Sequence, residues 1–211
     1  MTRIDVINKL IKKFGYKSYL EIGIYRGGCF NSIDVECKRG VDPNPIDFTD
    51  DRVSVMTSDE YFKTIPLDKT YDIVFIDGLH DHKQILKDVE NSLNHLAENG
   101  TIVLHDCNPP TEWHQREISE FDGSGKFNGT VWRGFVEYRS KCKDLNMFVI
   151  DCDWGIGVIR RSEKVKFPKF VCNDQDDILS YGWLEKNRQM ALNLISPKRF
   201  QEWIDEASYD I

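Results

Sequence analysis

Short polar segments follow five apolar segments of this chain, and their residue types are those that bind ligands and move protons. The first segment sets glycines beside a carboxylate, the second holds a carboxylate, and the others combine hydroxyl, carboxyl and imidazole groups. Imidazoles and carboxylates can accept protons near neutral pH, and both can bind metal ions. In chain order the segments are residues 21–28, Asp42, residues 58–59, residues 77–80 and residues 105–106.

The apolar pattern predicts that each polar segment follows a strand of one parallel sheet. Residues 73–76 are apolar without alternation, which is typical of a strand covered on both faces. Amphipathic helices alternate with the strands, so right-handed βαβ units of a Rossmann-like α/β domain are expected. Ligands bind beyond the carboxyl ends of such strands, where the five segments should therefore meet. The predicted strands are residues 18–24, 39–42, 53–57, 71–76 and 101–104, and the predicted helices are residues 4–14, 29–36 and 82–97, the last closed by Asn99 and Gly100.

The second half of the chain predicts an active-site loop, a helix, a closing antiparallel strand pair and two further helical stretches. The loop is polar and contains Gly and Pro, and loops of such length are usually functional or disordered. In chain order these elements are residues 107–129, 130–143, 146–151, 155–160, 174–194 and 197–207. Because the pattern changes after residue 161, we expect one domain at 1–161 and a C-terminal helical extension at 162–211 that is not an independent domain.

Aromatic and basic side chains in the loop suit a flat or anionic ligand, such as a sugar or an acidic glycan precursor. They are Trp113, His114, Arg116, Phe121, Lys126 and Phe127. In the helix that follows, Trp132 and Phe135 are predicted core anchors, and Arg133 is the better candidate for a ligand contact. Residues 153–157 predict a tight turn with a structural role between the last two strands.

The composition and charge argue against several classes of function. The formal net charge is -7 at pH 7 and no basic stripe offsets it, so nucleic acid and anionic membranes are not expected partners. No apolar run is long enough to span a bilayer, and residues 1–5 lack a signal-peptide core, which favours a cytoplasmic location. The six cysteines form no CxxC pair, so neither a zinc knuckle nor a thioredoxin-type site is expected.

The glycines of the first polar segment predict a tight turn against a ligand. Gly23 and Gly27 let the backbone turn sharply and approach a bound molecule closely. Asp42 follows about 20 residues later, where a carboxylate can accept hydrogen bonds from ribose hydroxyls. Dinucleotide dehydrogenases have G-x-G-x-x-G, but Tyr25 occupies the middle glycine position here. The turn therefore suits a ligand without phosphates.

Glu21-x-Gly23-x-Tyr25-x-Gly27 resembles the first motif of class I S-adenosylmethionine-dependent methyltransferases, especially the catechol-type O-methyltransferases. Residues 75–82 and 102–109 resemble the family of methyltransferase domain 24, and the whole resemblance covers residues 16–160. It implies S-adenosylmethionine as cofactor, and it implies which residues bind it. Those residues are Glu21, Gly23, Tyr25 and Gly27 near the methionine part, Asp42 at the ribose, Ser58 and Asp59 at the adenine, and Asp77.

The same resemblance raises the question of a metal ion. Catechol-type enzymes hold a divalent metal with an Asp after the fourth strand and an Asp-Asn pair after the fifth. Asp77 and Asp106 match two of these ligands, but the third position is Cys107, and Asn108 stands one residue further. A thiol is a poor ligand for Mg²⁺. The divalent metal therefore stays an open expectation.

Histidines near the same strand ends offer a second arrangement. His80 or His105 could be the general base, with Asp77 and Asp106 orienting it or holding a metal. Two histidines and two aspartates could also bind Mn²⁺, Fe²⁺ or Zn²⁺. His82 is interpreted as a solvated residue of the first helical turn.

The first interpretation is O-methylation of a small or glycan-like acceptor by S-adenosylmethionine. The alternatives are a metal-dependent oxygenase on the same scaffold and a non-catalytic S-adenosylmethionine-binding protein, because a fold does not determine function. An NAD-dependent dehydrogenase is opposed by Tyr25 and by the missing third glycine. The expected partners are a small-molecule or glycan acceptor and a second copy of the chain in a homodimer.

Overall fold

Eight strands form one sheet in the computed structural model, which describes residues 1–142, 144–161 and 177–206. They are β1 (Ser18–Ile22), β2 (Cys37–Val41), β3 (Val53–Ser54), β4 (Tyr71–Ile76), β5 (Leu96–Leu104), β6 (Asn146–Ile150), β7 (Ile156–Arg160) and β8 (Leu194–Ile195). They lie in the order β3-β2-β1-β4-β5-β7-β6-β8. Strands β1 to β5 are parallel, and β7 runs antiparallel to both β5 and β6. The predicted parallel sheet with a closing antiparallel pair is confirmed.

Helices cover both faces of the sheet. They are α1 (Arg3–Phe14), α2 (Gly28–Ser32), α3 (Ser58–Thr64), α4 (His82–Asn94), α5 (Val131–Lys141), α6 (Tyr181–Ala191) and α7 (Pro197–Glu206). Ile73 and Phe75 pack into the apolar cluster that contains α1 and α7, whereas Val74 and Ile76 pack into the cluster that contains α3 to α6. This coverage is the reason that residues 73–76 are apolar without alternation. None of the helices in the described ranges is both long and apolar enough to cross a membrane.

Helix α1 brings the start of the chain to the carboxyl edge of the sheet. Thr2 and Asp5 form a capping box at its N-terminus, and Gly15 ends it with a φ of 65°. The helix packs against α7, where the Lys9 ammonium donates to the Gln201 side chain at 2.7 Å. The first turn of α1, with Arg3, is thereby held beside the ends of β4 and β5.

The predicted boundary between α4 and β5 is wrong. Helix α4 ends at Asn94 and β5 begins at Leu96, so Asn99 and Gly100 lie inside the strand. A Cβ on Gly100 would lie 2.9 Å from the backbone oxygen of Asp72. The glycine therefore permits close packing of β5 against its neighbour and does not end a helix.

Other predicted elements are shorter than expected or are interrupted. Helix α2 ends at Ser32, and β3 has two residues because only Gly40 and Val41 of β2 pair with it. The long loop contains two 3₁₀ segments, Glu112–Gln115 and Ile118–Glu120. Residues 143, 174–176 and 207, at the ends of three predicted helices, lie outside the described residues, as does Cys172.

The C-terminal part is not only helical. Strand β8 pairs in parallel with β6 at the end of the sheet, and α7 follows it. The Trp203 indole stacks with Phe200 and meets Phe14 of α1 edge-on, with ring centroids 5.9 and 6.1 Å apart. These contacts join the segment to the same core as the rest of the sheet.

Candidate active site

A cleft of about 1140 Å³ opens at the carboxyl ends of the parallel strands. Nearly all of the residues singled out as cofactor-binding or catalytic line it. They are Glu21, Gly23, Tyr25, Asp42, Ser58, Asp59, Asp77, His80, His105 and Asp106. Gly27 does not line the cleft but precedes α2 with a φ of 72°, and a Cβ there would lie 2.2 Å from the Phe48 ring.

The glycine turn is held by Asp42. One carboxylate oxygen of Asp42 accepts the backbone N–H of Ile24 at 2.7 Å and of Tyr25 at 2.9 Å, and the other accepts the N–H of Asn44 at 2.7 Å. Tyr25 has a φ of 51° and is exposed. A carboxylate has about four acceptor positions, so Asp42 retains capacity for a hydroxyl from the cleft.

Glu21 is a buried carboxyl group at the end of β1. It is 1% exposed, and the Tyr19 hydroxyl donates to it. Burial raises the pKa of Glu21 to about 8. The hydrogen bond from Tyr19 lowers this pKa in part, and the negative charge of Asp77 raises it further. At neutral pH this carboxyl is mostly protonated in the free protein.

Two histidines and two aspartates converge at the ends of β4 and β5. Nε2 of His80 lies 3.4 Å from a carboxylate oxygen of Asp77 and 3.4 Å from one of Asp106. Nδ1 of His105 lies 3.0 Å from Asp106 and 3.3 Å from Asp77. Asp106 has a φ of 62°. The structure therefore brings together all four residues that were predicted to be catalytic.

Arg3 and Asp153 complete this cluster, and neither was predicted in it. The Arg3 guanidinium lies 2.8 Å from Nε2 of His105, and the backbone N–H of Arg3 donates to Asp153 at 2.7 Å. Residues 153–155 do form the predicted tight turn, with φ of 43°, 66° and 88°. The Asp153 carboxylate of this turn also lies 3.6 Å from His105, so the turn adds a charged side chain to the cluster. Arg3, His105 and Asp153 are far apart in the chain, so the sequence alone did not indicate that they are in contact.

The cluster contains three carboxylates and one guanidinium, and this excess of negative charge strongly affects the pKa of its imidazoles. Burial opposes a charge on His105, but the charge of Asp77 and hydrogen bonds to three aspartates raise its pKa to about 12. Burial opposes a charge on Asp77, but the charge of His105 and hydrogen bonds from both imidazoles outweigh it and lower the pKa of Asp77. A hydrogen bond from His105 lowers the pKa of Asp153 to about 2. A guanidinium only donates, so a protonated His105 requires Arg3 to turn from Nε2 toward Asp153.

Asn128 is a further neighbour that the sequence did not indicate. Its side-chain amide donates to Asp106 at 2.7 Å, and its own Oδ1 is buried with no hydrogen-bond partner in the described part of the chain. Gly129 follows, and a Cβ there would lie 2.2 Å from the backbone oxygen of His80. The end of the long loop is thus packed directly against the cluster.

Two predicted or considered residues lie outside the cleft lining. His82 pairs with Glu137 at 2.6 Å, and Arg133 binds Glu117 at 2.6 Å and Gln115 at 3.0 Å. Arg133 was expected to contact a ligand, but from its position in α5 its guanidinium binds Glu117 and Gln115 of the loop instead. Trp132 and Phe135 of the same helix are fully buried in the core, as predicted.

Part of the long loop forms an aromatic wall over the cluster. Phe127 stacks on His80 with ring centroids 5.7 Å apart and on Phe121 with centroids 4.5 Å apart. The Arg116 guanidinium lies over both phenyl rings and donates to the backbone oxygens of Trp113 and of residues 124 and 126. Phe121 and Phe127 line the cleft, whereas Arg116 holds the loop together from behind.

Residues 46–107 match the methyltransferase domain family Methyltransf_24. The fold is similar to that of the methyltransferase PaMTH1 from Podospora anserina bound to SAH, with a TM-score of 0.55, 17% identity, and coverage of 76% of this chain and 78% of that one. This chain has the class I methyltransferase fold. The O-methyltransferase TomG from Streptomyces achromogenes, solved with SAM, matches with a TM-score of 0.54, 13% identity, and coverage of 76% and 80%. No curated protein matches the chain.

An O-methyltransferase from Bacillus cereus in complex with SAH matches with a TM-score of 0.50, 16% identity, and coverage of 75% of this chain and 80% of that one. The family match runs from the loop after β2 to the residues just after β5, so it contains the predicted site residues that follow β3, β4 and β5 but not the glycine turn or Asp42. The family resemblance and the fold class predicted from the sequence are confirmed.

The position expected for the third catechol-type metal ligand is occupied by Cys107. The Cys107 thiol is buried and directed toward the backbone oxygen of His105, and Asn108 is bonded to Asp151 and Arg188. Among the described residues, Asp77, His80 and Asp106 offer ligand atoms that all lie within 4.8 Å of one another. Two carboxylates and an imidazole fit a transition-metal ion such as Mn²⁺, Fe²⁺ or Zn²⁺ better than Mg²⁺.

Proposed function

We propose that this protein transfers the methyl group of S-adenosylmethionine to a hydroxyl oxygen of a small acceptor. The observation that carries the proposal is one continuous cleft with two different ends. The glycine turn and Asp42 lie along β1 and β2, and the cluster of His80 and Asp106 lies beyond β4 and β5. A long cofactor laid across the strand ends would bring its reactive group to the cluster.

The cofactor assignment is supported by the fold, by the matched methyltransferase domain and by the residues of the turn. We assign Glu21, Gly23 and Tyr25 to the methionine part, with Asp77 beside them, and Gly27, which does not line the cleft, to the turn before α2. Asp42 would bind the ribose, and Ser58 and Asp59 would border the adenine.

Isothermal calorimetry with S-adenosylmethionine and, separately, NAD tests this assignment. Micromolar binding of S-adenosylmethionine and no binding of NAD would support the proposal. The absence of S-adenosylmethionine binding, with and without Mn²⁺, would remove it.

Methyl transfer needs alignment and removal of the acceptor's proton, and His80 is the better placed base. Its side chain is 20% exposed and lines the cleft, whereas that of His105 is 6% exposed and both of its ring nitrogens are engaged. Asp77 and Asp106 flank Nε2 of His80 and would accept its N–H, which orients the ring and leaves Nδ1, buried and without a hydrogen-bond partner among the described residues, as the nitrogen that takes the proton. We assign His105 a supporting role, in which it joins these carboxylates to Asp153.

In a competing arrangement, the atoms assigned to the general base and its carboxylates bind a metal ion. Asp77, His80 and Asp106 would hold it, and a bound divalent ion would lower the pKa of the acceptor hydroxyl. Three aspartates and one arginine leave a deficit of two positive charges in the cluster, which one divalent ion would supply. As a general base His80 must be neutral, so in that arrangement a protonated His105 would add one positive charge. Oxygen consumption with Fe²⁺ would instead favour the oxygenase alternative.

We infer an acceptor with a flat or ring-shaped body, such as a sugar, from the aromatic wall over the cluster. Phe121 and Phe127 present apolar faces beside His80. Such faces contact the apolar side of a ring while polar groups bind its hydroxyls. Turnover of a panel of sugars and phenols, compared with Phe127→Ala, measures this contribution.

The remaining assignments stay predictions from the sequence. They are a domain at 1–161, a C-terminal extension at 162–211, a cytoplasmic location and a homodimer. The pairing of β8 and the packing of α7 on α1 support treating the extension as part of one folding unit.

Affinity for S-adenosylmethionine is expected to rise with pH up to about pH 8. The cofactor is cationic, so it favours the ionised form of Glu21, whose pKa of about 8 means that a proton must leave on binding at pH 7. Below this pKa the affinity should fall by up to tenfold per pH unit. Calorimetry in buffers of different ionisation enthalpy measures the released proton. A Glu21→Gln variant with the same pH dependence would contradict the assignment.

A further inference from the structure

Helix α6, which lies in the predicted C-terminal extension, contacts the start of the long loop that follows β5. The Arg188 guanidinium donates to the side-chain oxygen of Asn108 at 2.5 Å and to the backbone oxygen of Pro109 at 2.8 Å. A second nitrogen of the same guanidinium donates to the Tyr181 hydroxyl at 3.1 Å. Because a guanidinium is planar and donates in a fixed fork geometry, these bonds fix two consecutive loop residues relative to α6.

Helix α6 is a well-anchored support for this contact. Leu184 and Ala191, which precede and follow Arg188 in the helix, are fully buried in the core. The Arg139 guanidinium of α5 donates to the backbone oxygens of Met190 at 2.8 Å and of Ala191 at 3.1 Å. Cationic side chains at the C-terminus of a helix satisfy carbonyls that have no partner within the helix. The core and α5 therefore both hold the end of α6 that carries Arg188.

The turn between β6 and β7 holds the same part of the loop from another side. The backbone N–H of Asn108 donates to the backbone oxygen of Trp154 at 2.9 Å, and its side-chain amide donates to Asp151 at 3.0 Å. The side-chain oxygen of Asn108 is left for Arg188. Asn108 is thus held by the turn and by α6 together.

The position of Asn108 affects the backbone at Asp106, two residues earlier. Asp106 has a φ of 62°, in the left-handed region that is uncommon for residues other than glycine. Such a conformation persists where surrounding contacts hold it. The Asp106 carboxylate lies 3.4 Å from Nε2 of His80, so a shift of this backbone would move the carboxylate relative to the proposed base.

We propose that Arg188 is a positioning residue for methyl transfer, which holds Asp106 beside His80 by fixing Asn108. The inference rests on the proposed function, and it gives the C-terminal extension a role in the site. Arg188 is not among the residues that line the cleft, so it acts through the loop. A displacement of about 1 Å at a catalytic group can lower a rate about 100-fold, even when the mutation is far from the chemistry.

Arg188→Ala tests the inference through the separation of rate from cofactor affinity. With an acceptor found by screening, we expect kcat to fall about 10–100-fold and the Kd for S-adenosylmethionine to change by less than about threefold. The affinity should persist because the glycine turn and Asp42 lie along β1 and β2, away from α6. Steady-state kinetics and calorimetry measure the two quantities.

Rescue experiments distinguish positioning from a general loss of structure. Arg188→Lys should have an intermediate kcat, because an ammonium can donate to one of the loop oxygens but lacks the fork of a guanidinium. Guanidinium ion added at millimolar concentration should partly restore the kcat of Arg188→Ala. Lys186→Ala, which removes an exposed cation from the same helix, is the matched control and should retain the wild-type kcat.

A double-mutant cycle shows whether the effect passes through Asn108. Asn108→Ala should lower kcat by about the same factor as Arg188→Ala. The double variant should lose little more than either single variant, because changes to residues in contact are not additive.

A kcat of Arg188→Ala equal to that of the wild-type protein would overturn the inference and leave the proposed function intact. Fully multiplicative losses in the double variant, or equal losses of kcat and of cofactor affinity in Arg188→Ala without rescue by guanidinium, would overturn it as well. Failure of the wild-type protein to bind S-adenosylmethionine would instead overturn the proposed function, and the inference with it.

Discussion

His80→Ala is expected to lower the kcat of methyl transfer by about 10²–10⁴-fold, the usual contribution of a general base. His80 lines the cleft, and its Nε2 lies 3.4 Å from both Asp77 and Asp106. The other imidazole of the cluster, that of His105, is 6% exposed against 20% for His80. Steady-state kinetics with an acceptor found by screening measures the change.

The matched control for this variant is His82→Ala. His82 is two residues away, but its ring pairs with Glu137 of α5 and does not line the cleft. Its loss should change kcat by no more than a few fold. Equal losses in the two variants would show that the effect is structural, and full turnover by His80→Ala would refute the assignment.

The same variant separates a base from a metal ligand. If His80 is a base, the wild-type enzyme keeps its activity in a chelator, and added imidazole partly restores His80→Ala. If His80 is a ligand with Asp77 and Asp106, chelation removes activity from the wild-type enzyme. Metal analysis of the purified protein then gives about one ion per chain for wild type and a large loss for the variant.

Gly23→Ala is expected to have the largest effect on the cofactor site. Gly23 has a φ of 92°, and an added Cβ would lie 2.1 Å from the backbone oxygen of Asp77. That neighbour is backbone at the end of β4, so relief of the clash must move Asp77 itself. We expect the Kd for S-adenosylmethionine to rise at least about 100-fold and the free energy of unfolding to fall by about 2–4 kcal/mol.

Gly28→Ala is the control for this prediction. Gly28 also lines the cleft, five residues further along the chain, but a Cβ added there would meet no heavy atom of the described residues within 4 Å, and its φ is not in the left-handed region. Alanine there should leave affinity nearly unchanged and alter stability by less than about 1 kcal/mol. Urea denaturation and calorimetry on both variants measure the difference. Similar values for the two would contradict the assigned role of Gly23.

The local pattern of the sequence determined most of the architecture. The apolar run 73–76 predicted a doubly covered strand, and β4 has the predicted bounds of Tyr71–Ile76. Asp81 stands directly before the predicted helix 82–97 and is of a residue type that caps helices, and it accepts two backbone N–H groups at the start of α4. These features depend on side-chain periodicity and on capping over a few residues, which the sequence displays directly.

The polar strand ends were also recognisable, because a parallel sheet sends every carboxyl end to one edge. The different roles of the residues at these strand ends were not recognisable from the sequence. His80 and His105 looked equivalent in the sequence. Both line the cleft, but only the fold makes His105 the more buried partner of Arg3 and leaves His80 the more exposed of the two.

The contacts that complete the site join residues far apart in the chain. Arg3 is 102 residues from His105 and 150 residues from Asp153, and Asn128 is 22 residues from Asp106. Periodicity reports only the neighbourhood of each residue, and one sequence carries no record of which distant ends meet. The packing of α1 and the turn between β6 and β7 decided these contacts, because tertiary structure alone places them at the same edge of the sheet.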